Sequence, residues 1–234
     1  MFLIGATRSQ KGMSVAANIA RIKESLGVAP VTLIAVSKNV SADKIAQAFE
    51  CGVTEFGENR VQDALEKQEQ VPPHMADKIN WHLIGHLQTN KVKKVVGKFA
   101  LIHSVDSLRL AQEISDESAK RGLVQPILLQ VKVLEDPTKS GFSPEELLEQ
   151  FGTIIAMPGI KVQGLMTMAP LTDDSSVWQQ SFCGLRDLRD QIEKLFGVPL
   201  KDLSMGMSQD WQQAVQCGAT MVRLGRAIFG DRAA

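Results

Sequence analysis

The sequence predicts a single-domain (β/α)8 barrel, and three observations carry that reading. Apolar runs of strand length alternate with amphipathic stretches of helical period along the whole chain. Eight such pairs follow one another, with no linker and no second block of composition between them. The turn after the first run, "SKNVSADK", holds no glycine, which argues against an open dinucleotide-binding sheet with its GxGxxG turn. Strict alternation also calls for parallel strands, because each crossover between parallel neighbours needs a helix.

The elements can be justified in order. An opening helix is expected over about Ser14 to Leu26. "VTLIAVSK" is then the first strand, and "SADKIAQAFECG" its helix, with Ser41 suited to the N-cap and Gly52 to the stop. "VTEFGEN" with "RVQDALEKQEQ" makes the second pair, and "INWHLIG" with the helix "TNKVKKVVGKF" the third. "ALIHSVD" and "SLRLAQEISDESAKRG" follow, then "QPILLQVKVL" and "SPEELLEQFGTII". "IKVQGLMTM" precedes a long helix from about Ser175 to Phe196. "LKDLSMGMS" leads into "DWQQAVQCG", whose helix should begin near Gln209, and "ATMVRLG" leads into "RAIFG".

Composition narrows the function classes. The 234 residues are 44% hydrophobic and 22% charged, as in an ordinary globular protein, and residues 1–234 read as one domain. The formal net charge of zero gives no sign of nucleic acid or an anionic membrane as partner. Cys51, Cys183 and Cys217 show no CxxC or Cys/His spacing, so no metal site is expected, and the three read as reduced thiols of a cytoplasmic protein. "MFLIGATRSQKG" lacks the basic start and apolar length of a signal peptide, which leaves residues 1–13 as a flexible extension. No run is long enough to span a membrane.

In such a barrel the chemistry gathers where strands end. Those ends collect Lys38, then Glu58 and Asn59, His82 to Gly85, Asp106, Lys132, Met166 to Met168, Ser204 to Ser208, and Arg223 with Gly225. Lys38 has two readings. It is either a strand-end lysine snorkelling to water, or an amine in partly apolar surroundings, where the neutral form is favoured and can attack an aldehyde. Position alone does not choose. The turns "LSMGMSQD" and "VRLGRAIFG" tip the balance, because small residues followed by a helix start can hold an anion, at the place where barrels commonly bind phosphate. Gly206 and Gly225 could also serve only to make tight turns. A lysine opposite a phosphate cradle points to pyridoxal 5′-phosphate (PLP) held as a Schiff base.

These residues lie in motifs that resemble the pyridoxal phosphate homeostasis proteins, single-domain PLP-binding barrels related to the N-terminal domain of alanine racemase. The motifs are "AVSK", "FGENRVQD", "WHLIGHLQTNK", "HSVDS", "SGFSPEE", "GLMTMAP", "LSMGMSQDW" and "MVRLGRAIFG", and they cover nearly the whole chain. The resemblance implies that Lys38 is the Schiff-base lysine and that Arg223 faces the pyridine nitrogen. It implies further that Ser204, Ser208, Gly225 and Arg226 line the phosphate, that Asn59 lies beside the ring, and that His82 forms part of the wall. Three positions depart from the family: Arg60 stands where Tyr is common, His86 where Pro is, and Arg226 where a small hydroxyl residue is. Lys139 of "TKSG" is expected to be a solvated surface lysine near the mouth.

The resemblance leaves a choice between carrier and enzyme. The related racemases use a second base, a tyrosine lent by a partner subunit with an added β-domain; this chain contains no tyrosine and ends soon after the eighth unit. Arg223 would donate a hydrogen bond to the ring nitrogen without giving it a proton, and an unprotonated pyridine is a poorer electron sink. The expected function is therefore PLP binding in vitamin B6 and amino-acid homeostasis, by a monomer without strong turnover. The alternative is a PLP-dependent enzyme such as a weak amino-acid racemase. Apo-PLP enzymes are the implied recipients. A regulatory protein docked on "NKVKKVVGK" is a third possibility, although such charge runs are usually solvated helix faces.

Overall fold

A computed structural model describes residues 14–136 and 139–230; the expected extension over residues 1–13 lies outside the described residues. Eight strands close into a parallel barrel in chain order. They are β1 Thr32–Val36, β2 Glu55–Glu58, β3 Asn80–Leu83, β4 Leu101–Val105, β5 Gln125–Gln130, β6 Ile160–Met166, β7 Asp202–Ser204 and β8 Met221–Leu224. Pairing of Ile34 with Arg223 and of Ala35 with Leu224 joins β8 to β1 and closes the ring.

The helices are α1 Val15–Leu26, α2 Ala42–Glu50, α3 Val61–Gln70, α4 Pro73–Ala76, α5 Val92–Val95, α6 Leu108–Lys120, α7 Pro144–Ile155, α8 Ser175–Phe196, α9 Trp211–Gln216 and α10 Arg226–Phe229. Several start where sequence chemistry says they should. The Ser14 hydroxyl accepts from the Ala17 N–H at 3.2 Å, and Ser143 and Glu146 form a reciprocal capping box at the head of α7. Ser41 sits at the N-cap of α2 in extended conformation, yet its hydroxyl caps nothing. The third crossover is shorter than expected. "TNKVKKVVGKF" makes a 3-10 turn over Thr89–Lys91 and the single turn of α5, then stops before Gly97 at φ +75°. One turn is enough to bury Val92 and Val95, with Val96 just beyond, so the apolar spacing is satisfied without a longer helix.

The core has two parts. A large cluster between barrel and helices includes Phe56, Phe151, Phe182, Ile19 and Ile45, all buried. Inside the barrel a small apolar cluster holds Ile34, Leu101, Leu128, Met166 and Met221. The rest of the interior is polar: His82, His103, Ser204 and Arg223 are buried there, on strands whose side chains alternate between the two faces.

The cysteine expectation is corrected. Cys183 on α8 and Cys217 at the end of α9 form a disulfide with Cα atoms 4.9 Å apart, while Cys51 is free. The two lie 34 residues apart in sequence, and only the packing of α9 against α8 brings them together. Among the described residues no helix is long and apolar enough to cross a membrane.

Candidate functional site

A cavity of about 350 Å³ opens where the strands end. Six of the eight sequence candidates line it: Lys38, Asn59, Ser208, Arg223, Gly225 and Arg226. Ser204 and His82 do not. Both lie beneath it in the barrel interior, Ser204 wholly buried and His82 nearly so, so that neither Ser204, expected to line the phosphate, nor His82, expected in the wall, is part of the cavity lining.

Lys38 leaves the end of β1 half-buried, just before Asn39 turns the chain at φ +58°. Its backbone is held from below. The Ser37 hydroxyl donates to Glu58 Oε1 at 2.6 Å, and Lys67 Nζ reaches across from α3 to Glu58 Oε1 and to the Ser37 carbonyl oxygen, both at 2.5 Å. Glu58 is fully buried; Lys67 and Ser37 both reach its Oε1, while its Oε2 is buried without a hydrogen-bond partner. Asn59 follows on the next strand. A Cβ on Gly85 would come 2.2 Å from the Asn59 carbonyl oxygen, so only glycine lets the end of β3 pack there. The Asn59 Oδ1 atom is buried without a hydrogen-bond partner.

On the neighbouring strand β8, Arg223 is only 4% exposed. Its Nη1 donates to Ser204 Oγ at 2.7 Å and its Nη2 to the Thr167 carbonyl oxygen at 2.9 Å. Below it, Ser204 Oγ is 2.8 Å from His103 Nδ1, His103 Nε2 is 2.8 Å from His82 Nδ1, and His82 Nε2 is 2.8 Å from Glu55 Oε2. Burial pulls the Arg223 guanidinium down to about 10, against the pull of Asp210. Burial above all, with the Arg223 charge adding to it, also holds His103 well below the usual histidine range. Burial would raise the Glu55 carboxyl, but hydrogen bonds from His82, Asn80 and Thr54 outweigh it and hold it below its usual value.

The turns after β7 and β8 form the third side. Gly206 sits at φ +91°, and a Cβ there would come 2.7 Å from the Ala214 side chain and 2.9 Å from the Trp211 Cα. Ser208 Oγ accepts from the Ala227 N–H at 3.2 Å and so ties the two turns together. α9 begins at Trp211, two residues later than expected, and α9 and α10 have six and four residues. Helices this short contribute their first-turn N–H groups and little more of a macrodipole.

Sequence reasoning missed several wall residues. Asp210 lines the cavity, accepts from the Met207 N–H at 2.5 Å, and is raised by burial. Trp178 from α8 closes one side. Lys139 is no solvated surface lysine; it lines the cavity, and its Nζ donates to the carbonyl oxygens of Met168 at 3.1 Å and Ala169 at 2.5 Å. The two departures Arg60 and His86 line an adjoining basin with Lys91 and Lys94, which meets the main cavity at Asn59. Among the described residues no cluster of three or more His, Cys, Asp or Glu could hold a metal.

Comparison with known proteins fits this geometry. The family model for the alanine racemase N-terminal domain matches residues 13–233. The pyridoxal phosphate homeostasis protein of Aquifex aeolicus is 42% identical over 200 residues, covering 86% of each chain. That of Pseudomonas aeruginosa is 36% identical over 230 residues, 97% of this chain and 96% of the relative. The chain belongs to the pyridoxal phosphate homeostasis protein family. Among solved structures of the family, PipY of Synechococcus elongatus is 38% identical without PLP, with a TM-score of 0.88, covering 93% of this chain and all of that one. PipY with PLP bound superposes with a TM-score of 0.86 at 37% identity. An alanine racemase of Clostridium difficile shares the barrel at 17% identity and a TM-score of 0.78; this chain covers 57% of its length.

Proposed function

We propose that this chain binds pyridoxal 5′-phosphate in the cavity between Lys38 and Arg223 and serves vitamin B6 and amino-acid homeostasis by holding and delivering it. The observation that carries the reading is the pairing, across one cavity, of a half-buried lysine with a buried arginine that keeps N–H groups to spare. When bound, the cofactor supplies an aldehyde that condenses reversibly with an amine and a ring that can draw electrons. Lys38 supplies the amine. Arg223 donates to the ring nitrogen and gives it no proton. Ser208, Arg226 and the N–H groups of the turns at Ser208 and Gly225 would hold the phosphate, and Asn59, whose Oδ1 lacks a partner, would lie beside the ring.

A strong catalyst of α-proton chemistry would protonate that ring nitrogen, and a racemase would place a base on each face. The sequence has no tyrosine to be the second base. The reading is therefore of a cytoplasmic monomer that exchanges PLP with apo-PLP enzymes. A weak PLP-dependent enzyme is the second reading, and Asp210 favours it: this carboxylate stands on the cavity wall with its proton affinity raised by burial.

The test is the visible spectrum of the purified protein with PLP, before and after borohydride, beside Lys38→Ala. Wild type should show a band that borohydride abolishes while fixing the cofactor on Lys38, and the variant should show neither. A colourless wild type would end the reading. Deuterium exchange at the α-carbon of added amino acids, lost in Asp210→Asn, would instead support the enzyme.

A further inference from the structure

The hydrogen bonds beneath Arg223 can each be given a direction. Arginine only donates, so Ser204 Oγ accepts from it. Ser204 is fully buried, and its hydroxyl proton has one acceptor within reach, His103 Nδ1 at 2.8 Å. The opposite arrangement would give Ser204 two donors and leave its own buried proton unpaired, which is unfavourable. With Nδ1 accepting, neutral His103 carries its proton on Nε2 and donates to His82 Nδ1. A proton on His82 Nδ1 would face that N–H head-on, so His82 carries its own on Nε2 and donates to Glu55 Oε2. Glu55 Oε1 accepts from Asn80 at 2.8 Å and Thr54 at 3.0 Å, which completes the carboxylate. Every donor points away from Arg223.

We propose that Ser204, His103, His82 and Glu55 form a one-way relay through the barrel that positions Arg223 and sets how strongly it donates to a ligand's ring nitrogen, with His103 and His82 as its positioning residues. The relay joins the buried cation near the C-terminal end of β8 to a carboxylate at the start of β2, towards the other end of the barrel. The relay ends on Glu55, while Asp210 on the cavity wall is the carboxylate whose charge acts on Arg223, so no carboxylate need hydrogen-bond to the guanidinium. Its remaining N–H groups stay free for the cavity. Ser204 is committed on both sides, which is why it belongs to Arg223 and not to the phosphate. Successive donors polarise one another, so the links act as a unit.

The proposal rests on the PLP reading where it names the ring nitrogen, and the experiment separates the two. Long-range 1H–15N correlation on the protein without cofactor should show both His82 and His103 as neutral Nε2–H rings. A proton on His103 Nδ1, or a doubly protonated ring, overturns the relay whatever the protein binds. In the second arm 15N-labelled PLP is added to wild type, His103→Leu, His82→Leu and the double variant. The pyridine-nitrogen resonance should move in His103→Leu and less in His82→Leu, and PLP affinity should fall about tenfold in the first. The double variant should match His103→Leu alone. Additive effects, or an equal shift in Leu101→Ala, which opens a hole in the same layer, would reduce the relay to packing and overturn it. Should no variant fold, the correlation spectrum of wild type still decides. Failure of wild type to take up PLP would sink the cofactor reading and leave the first arm standing.

Discussion

The two walls of the cavity carry their charges by opposite means. Beneath Lys38 a fully buried carboxylate, Glu58, meets its cation by contact: Lys67 stands 2.5 Å away and Ser37 adds a hydrogen bond. Beneath Arg223, among the described residues, no carboxylate touches the cation. Ser204, His103 and His82 stand between it and Glu55, and Asp210 acts on it from the cavity wall without an ion-pair contact. The first arrangement uses up its charges to fix a backbone, that of Ser37 immediately before Lys38. The second keeps a buried charge available to a ligand. Contact neutralisation suits a residue that supplies structure; separation suits one that supplies a field.

This contrast can be broken most forcefully on the Lys38 side. Lys67→Met leaves Glu58 buried and unpaired, and such a loss costs about 3–5 kcal/mol. Urea unfolding should show it as a lowered midpoint with an unchanged slope, and Glu58→Gln combined with Lys67→Met should recover part of the loss. An effect below 1 kcal/mol would mean that water reaches the pair and that the two walls are alike.

On the Arg223 side the expected effect is smaller and depends on pH. His103 is held well below 6.5 in the folded protein, whereas the unfolded chain takes up that proton as pH falls through about 6.5. Acid therefore stabilises the unfolded state, and stability declines below pH 6.5 by up to about 1.4 kcal/mol per pH unit for this one proton. His103→Leu should flatten that slope between pH 6.5 and the point where Glu55 begins to protonate, below the ordinary glutamate range. An unchanged slope would place the acid sensitivity elsewhere. The mildest test lies outside both walls. Ser143→Ala removes one half of the α7 capping box and should cost about 1 kcal/mol, with PLP binding unchanged. A loss of binding there would show that cavity and outer helices are coupled.

Much of this could be read from the chain. Buried central strands and amphipathic helices leave strong periodic signals, so the eight units and the strand-end positions of Lys38 and Arg223 followed from pattern. The relay did not. His103 and Ser204 lie 101 residues apart, and their contact depends on barrel closure and strand stagger, which no local spacing encodes. "HSVDS" stood out as a motif, but nothing in it said that His103 faces inward. The place of Ser204 is hidden for a related reason: a serine near a phosphate turn reads as a phosphate ligand, and only its alternation puts it on the interior face, between Arg223 and His103. The disulfide depends likewise on helix packing. α5 ran short because a pattern of valines fixes which side is buried and not how many turns bury it.

The division of the core has a consequence for how such a protein can change. The aromatic mass that holds the fold together, Phe56, Phe151 and Phe182, lies outside the barrel among the helices, while the apolar cluster inside it has five buried members, two of them methionines. Structural debt and chemical novelty are thus housed in separate compartments. The lumen can be rewritten, a histidine here or a hydroxyl there, while the shell goes on folding the chain as before. A barrel arranged this way is a frame that outlasts whatever is mounted in it.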